Sequence, residues 1–143
     1  MKKTLIFLAA LFLSAAVLPA ENKSIDAHCL PDAVRNFLDA YFPDEQIIYA
    51  SQGDELIYPD YDVLLTNGVF LEFYNDGTIE KVACDDGISN EFVPVPIIEF
   101  VKNMYPEAHF IEYELELRHY SVKLSNCLEF QFDKHFNLLN VGD

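Results

Sequence analysis

The run YDVLLTNGVFLEF, residues 61–73, decides the fold. Tyr61, Val63 and Leu65, then Val69, Leu71 and Phe73, alternate with Asp62, Leu64, Phe70 and Glu72. Period two means strands with one face buried, and Asn67-Gly68 between the two runs is a strong hairpin signal. Fifty-nine residues further on, YSVKLSNCLEFQF (120–132) repeats the pattern with Lys123, Glu129 and Gln131 on the alternate positions. Upstream, LPDAVRNFLDAYFPDEQIIY from Leu30 returns sixty-three residues later as VPVPIIEFVKNMYPEAHFIE from Val93. The four-residue change of offset falls in SQGDELIYPDYD, where a hairpin loop tolerates extra length. The chain is therefore one unit written twice.

Each copy opens on helical spacing: Val34, Phe37, Leu38 and Tyr41 in the first, Ile97, Phe100, Val101 and Met104 in the second. Pro31 and Pro94 sit near the helix starts, where a missing N–H costs little, and Pro43 and Pro106 stop both runs. The spacing predicts helices over 31–42 and 94–105, each followed by about four antiparallel strands. The expected organisation is 1–20 as a signal peptide, 21–83 as the first repeat, 84–92 as a linker and 93–143 as the second repeat.

Lys2 and Lys3, the apolar run to Leu18 and the small residue Ala20 form the signal-peptide pattern. The run is too short to span a membrane, so the expected product is periplasmic or secreted. Without Lys2 and Lys3, seven basic residues face 24 acidic ones. Such a surface repels phosphate backbones and anionic lipid, which argues against nucleic acid and is compatible with a basic partner, with calcium or, most commonly, simply with solubility. Half the residues are apolar and 14% are aromatic, enough to bury a core and to exclude disorder. Cys29, Cys84 and Cys127 form no C-x-x-C pair. One disulfide and one odd thiol are the arithmetic of an oxidising compartment, and Cys29 and Cys84 bracket the first unit while Cys127 sits in a turn.

The doubled pattern, LPDAVRNFLDAYFP with YDVLLTNGVFLEFYNDGTIEKV and its second copy, resembles the PepSY-like family of exported bacterial proteins. The resemblance implies the fold of the β-lactamase-inhibitor protein. That fold is α+β, with two tandem helix-plus-four-strand units, helices on one face of an antiparallel sheet of about eight strands, and an open concave face opposite. Cys127 and Phe136 stand where the family favours Gly, which leads one to expect distorted turns in the second copy.

No chemistry is visible in the sequence. His28, His109, His119 and His135 form no metal or catalytic spacing, and no Gly-rich phosphate loop exists. The chain reads as a non-enzyme without a cofactor, calcium excepted. The turns NDG (75–77) and DDG (85–87) offer Asp76, Asp85 and Asp86 as calcium ligands, although solvated turn residues are the simpler explanation. The sharper signal lies on the sheet. With the buried phase of the second copy carried to the first, Tyr49, Leu64, Phe70 and Tyr74 point to the open face, joined by Ile47. The second copy presents Glu112, Glu114 and Glu129 there, with Glu116 and Phe110. An apolar and aromatic cluster of this size marks a contact site unless the long loop folds back over it. The function expected is a binding module that captures an envelope protein or peptide, in its narrower form an inhibitor of a secreted enzyme. The alternative is a calcium-responsive envelope protein.

Overall fold

The computed structural model describes residues 22–54, 57 and 59–143; the signal-peptide segment 1–20 lies outside the described residues. Among the described residues the fold is mixed α/β, with two α-helices and one open antiparallel sheet of nine strands. The strands are β1 (Lys23–Ser24), β2 (Ile47–Gln52), β3 (Tyr61–Leu65), β4 (Phe70–Phe73), β5 (Ile79–Ala83), β6 (Phe110–Leu115), β7 (His119–Leu124), β8 (Glu129–Asp133) and β9 (Leu138–Gly142). They lie in the sheet in chain order, each paired antiparallel with the next. The ninth strand, absent from the sequence reading, is the two-residue β1 at one edge.

Helix α1 (Asp32–Tyr41) follows Pro31 and α2 (Val95–Met104) follows Pro94. The two helices end alike: the Phe42 N–H donates to the Leu38 carbonyl and the Tyr105 N–H to the Val101 carbonyl, and the next residue is proline. Helix α1 buries Val34 and Leu38; α2 buries Ile97 and Val101. Phe37 meets Phe73 edge-on at 5.2 Å between ring centroids, and Phe100 meets Phe130 and Phe132 at 5.8 and 5.3 Å. Two hydrophobic clusters result, one around α1 and β2–β5, the other around α2 and β6–β8, with Ile88 packed against both. Full burial of a side chain of this size stabilises by about 1.5–3 kcal/mol.

Register fixes which side chains share a face. Val63 pairs with Leu71, Leu71 with Val82, Val82 with Tyr113, Tyr113 with Val122 and Val122 with Phe130. All six are buried. Two outward expectations fail against this ladder. The pairing shifts by one residue at Ile48 and again at Ile111. These bulges reverse the alternation, so Phe110 pairs with Leu124 and is 3% exposed, and Ile47 packs against the first core cluster.

The turns of the second copy are not distorted. Gly68 and Gly77 have φ near +84°, and Cys127 and Phe136 adopt +69° and +63° at the matching places. The closing bonds match too. Cys127 N–H donates to Leu124 O at 2.9 Å and Gly68 N–H to Leu65 O at 3.0 Å, while Phe136 N–H donates to Asp133 O at 3.0 Å and Gly77 N–H to Tyr74 O at 2.9 Å. The hairpins hold the left-handed conformation although a side chain disfavours it.

All three cysteines are free. The Cys29–Cys84 bond is not formed because the two residues sit on opposite flanks of the first unit. Cys29 ends a 3-10 turn (Ala27–Cys29) that contacts β2, whereas the Cys84 N–H donates to Ile111 O of β6. Three strand spacings of about 4.8 Å separate β2 from β5, far beyond disulfide reach.

Candidate functional site

Two rows of side chains alternate with the buried ladder. One runs Tyr49, Leu64, Phe70, Ala83, Glu112, Lys123, Glu129, each paired with the next across β2 to β8. The other runs Ser51, Asp62, Glu72, Lys81, Glu114, Ser121, Gln131 across the same strands. The first row brings Tyr49, Leu64 and Phe70 together. Tyr49 is exposed, Leu64 and Phe70 are half-buried, and the small Ala83 separates them from the charged half. Tyr74 lies elsewhere, beyond Glu72 on the same chain segment. Its hydroxyl donates to the Leu115 carbonyl at 2.7 Å, which ties the two halves of the sheet together. Burial first, then the neighbouring carboxylates Glu80 and Asp60, push that phenol up to about 12.

Glu112 and Glu114 are not free steering charges. Lys81 Nζ stands 3.0 Å from Glu112 Oε1 and 3.6 Å from Glu114 Oε2. Burial pulls the Lys81 pKa down, but the Glu112 bond and the surrounding carboxylates outweigh it and raise the pKa overall. Glu129 is exposed and accepts from Ser121 Oγ at 3.1 Å. The row is therefore apolar at its Tyr49 end and charged at the other, where Lys123 stands between Glu112 and Glu129 and Lys81 of the neighbouring row pairs with Glu112.

The sequence reading overlooked a hollow of about 330 Å³ beside this row. Asn22, Gly53, Asp54, Asp60, Asp62, Glu72 and Glu80 line it. Asp62 Oδ2 accepts from Asn22 Nδ2 at 2.7 Å and from Ser51 Oγ at 3.1 Å. Burial raises the Glu72 pKa to about 7, helped by Asp62, Glu80 and Glu114 and opposed by Lys81. Burial, with Asp60 and Glu114, raises Glu80 as well. Asp62 and Glu72 were legible as outward alternating residues. Glu80 was not, because it is the extra residue of another bulge, between Lys81 and Ile79.

The long loop stays away from the aromatic row as far as its residues are described. Gly53, Asp54 and Asp60 flank the carboxylate hollow, and Ile57 is 78% exposed. Asp76, Asp85 and Asp86 are exposed, with Asp76 in one turn and Asp85 and Asp86 together in another. Asp76 Oδ1 accepts from the Thr78 N–H at 2.8 Å, and that bond holds its carboxyl below the usual range. Among the described residues no three His, Cys, Asp or Glu side chains are grouped to hold a metal, and no helix is long and apolar enough to cross a membrane.

Fold and row together define a mixed α/β protein with one open antiparallel sheet that carries an aromatic strip on β2–β4 and a charged one on β6–β8. Comparison with known proteins gives the family. Residues 59–140 match the model described as "Putative beta-lactamase-inhibitor-like, PepSY-like", and the chain belongs to that PepSY-like family. A structure titled "putative periplasmic protein from DUF2874 family" from Bacteroides vulgatus is 32% identical, with a TM-score of 0.79 over 86% of this chain and 98% of its own. A second, titled "putative calcium-regulated periplasmic protein" from Bacteroides thetaiotaomicron, is 31% identical with a TM-score of 0.78 over 85% and 97%. A third, of unknown function from Bacteroides vulgatus, is 26% identical with a TM-score of 0.79 over 86% and 100%. No curated protein matches this chain.

Proposed function

We propose that this chain is an exported, non-enzymatic binding module, two tandem units whose helices cover one sheet face and whose other, concave face receives a protein or peptide. The observation that carries the reading is the Tyr49–Leu64–Phe70 strip beside Asp62, Glu72 and Glu80, with Tyr49 exposed and Leu64 and Phe70 half-buried. Aromatic side chains favour the centres of interfaces, and charged rims select partner and orientation. The two-unit reading is supported by the bulges, which fall at Ile48 and Ile111 and again at Glu80 and Leu139, the same places in each copy. The one-face reading is supported by the paired ladder from Val63 to Phe130, since α1 rests on one end of it and α2 on the other. Periplasmic residence is supported by the described location of the relatives. Inhibition of a secreted enzyme is the narrower form of the same proposal. The test is capture from envelope extract by wild type and by Phe70→Asp. A partner held by the first and lost by the second, with both folded, supports the reading; equal capture sinks it.

The calcium-responsive reading stands second. It draws on the relative described as calcium-regulated and on the abundance of carboxylates, with Asp76, Asp85 and Asp86 as the first ligands to substitute. Calorimetry decides it: no heat and no thermal stabilisation at millimolar calcium removes the reading.

A further inference from the structure

On the helix side, the two copies differ in what covers the groove at the end of each helix. In the first copy a 3-10 turn (Asn90–Phe92), capped by Ser89, drops Phe92 into the groove below the end of α1. Its ring stacks on Phe42 at 5.8 Å with planes 10° apart and touches Tyr41 and Phe37 at 5.5 and 6.1 Å. About 180 Å³ of groove remains around it. The residues at the matching places in the second copy are Tyr105, Met104 and Phe100. There the groove, lined by Met104, Tyr105, Pro106, Ala108, Ser125 and Asn126 among others, is open and about 380 Å³ in volume. No described residue plays the part of Phe92. The neighbouring strand shows the same lack of cover. Val82 is wholly buried at the end of the first copy, whereas Val141 is 47% exposed at the end of the second. Val141 pairs with Phe130, whose ring lies 5.7 Å from Tyr105, so groove and strand edge form one apolar strip.

We infer that this groove is a second binding site, for a short turn of a partner protein that inserts an aromatic side chain between Met104 and Tyr105. The inference rests on the two-unit reading but concerns the sheet face opposite the proposed binding strip. The molecule itself shows which chemistry fits: an aromatic ring carried on a capped 3-10 turn. A thioether beside Tyr105 adds a favourable sulfur–aromatic contact, and the outer edge of β9, which pairs with no other described strand, offers backbone groups for strand addition. A second copy of this chain is a poor occupant. At the other end of the molecule the position equivalent to Phe92 is Cys29, which has no ring, and β1 already covers the edge of β2.

The test titrates the isotope-labelled protein with a synthetic peptide of its own residues 87–94, GISNEFVP, and with the same peptide carrying alanine for phenylalanine. Saturable shifts at Met104, Tyr105 and Asn126, weakened at least tenfold by the alanine peptide and by Met104→Asp in the protein, support the inference. Met104 is 59% exposed, so its variant keeps the fold, which an unchanged melt verifies. Phe70→Asp leaves the peptide shifts in place, which separates this site from the sheet face. No shift at millimolar peptide overturns the inference. So do equal shifts with the alanine peptide, or shifts confined to Tyr41 and Phe42, which mean that the peptide merely displaces Phe92. Sedimentation showing self-association that Met104→Asp abolishes assigns the groove to a second copy and also overturns it.

Discussion

Strands β2–β5 and strands β6–β9 close their hairpins with matching backbone bonds and spend their side chains differently. At the hairpin turns, glycines 68 and 77 face Cys127 and Phe136 with φ within about 20° of each other. The asparagines of the first turn make the same local bond, Asn67 Oδ1 accepting from the Val69 N–H and Asn126 Oδ1 from the Leu128 N–H, while the second turn is held by aspartates at different places, Asp76 accepting from the Thr78 N–H and Asp133 from the His135 and Asn137 N–H groups. The comparison teaches that the flanking ladders and these side-chain bonds impose the turn, while glycine only makes it cheap. Phe136 recovers part of the cost by stacking on Tyr120 at 5.3 Å. In one row the halves diverge further, Tyr49, Leu64 and Phe70 of the first standing where the second has Glu112, Lys123 and Glu129.

The largest effects should treat the halves alike. Phe73→Asp and Phe132→Asp each place a charge where 1% or less of the residue is exposed, costing roughly 4 kcal/mol or more, or preventing folding. Chemical denaturation checks this, and tolerance of either variant would break the equivalence of the two cores. Next comes Gly77→Ala, since a Cβ there would lie 2.5 Å from the Ala33 Cβ at a φ of +84°. We expect a loss of about 2–3 kcal/mol by urea titration. A loss below about 1 kcal/mol would mean that α1 yields to the turn.

The carboxylate hollow gives a pH signature specific to the first half. Glu72 binds its proton more tightly folded, at about 7, than its ordinary value of 4.5. Its contribution is therefore fully present below about 4.5 and lost as pH rises through 7. With half the group still solvated, the cost at pH 8 is about 1 kcal/mol after screening. Glu72→Gln should raise stability at pH 8 by that amount and flatten the melt profile between pH 5 and 8; an unchanged profile would place the proton elsewhere. Phe70→Asp follows, at about 1 kcal/mol or less. Unfolding as severe as that of Phe73→Asp would show that the aromatic strip is a second core layer. Smallest of all, Cys127→Gly should stabilise by about 0.5 kcal/mol, the relief of the positive φ less the entropy of glycine, read as a small rise in Tm. A fall would give the Cys127 side chain a structural part.

The doubled period, the helices with their prolines and the buried alternation of 61–73 and 120–132 were legible residue by residue, because local steric and solvation preferences write them directly. The faces of Leu64, Phe70, Glu112, Glu114 and Glu129 followed from the same alternation. Phe110 and Ile47 did not, and neither did Glu80 in the carboxylate hollow. Each lies at or beside a bulge, and a bulge exchanges the faces from one residue to the next. Whether it forms depends on the length and twist of two paired strands, which neither strand records alone. Tyr74 read as an exposed aromatic until the Leu115 carbonyl, forty-one residues away, took its hydroxyl. Phe92, in a stretch that reads as linker, became the plug of a groove built by residues fifty positions earlier. Period and composition thus determined the two helices, the antiparallel strands and which residues alternate with the buried ones. The depth of the hollow, the Lys81 ion pairs and the filled and open grooves were decided by long-range packing, whose energy belongs to pairs that the sequence keeps apart.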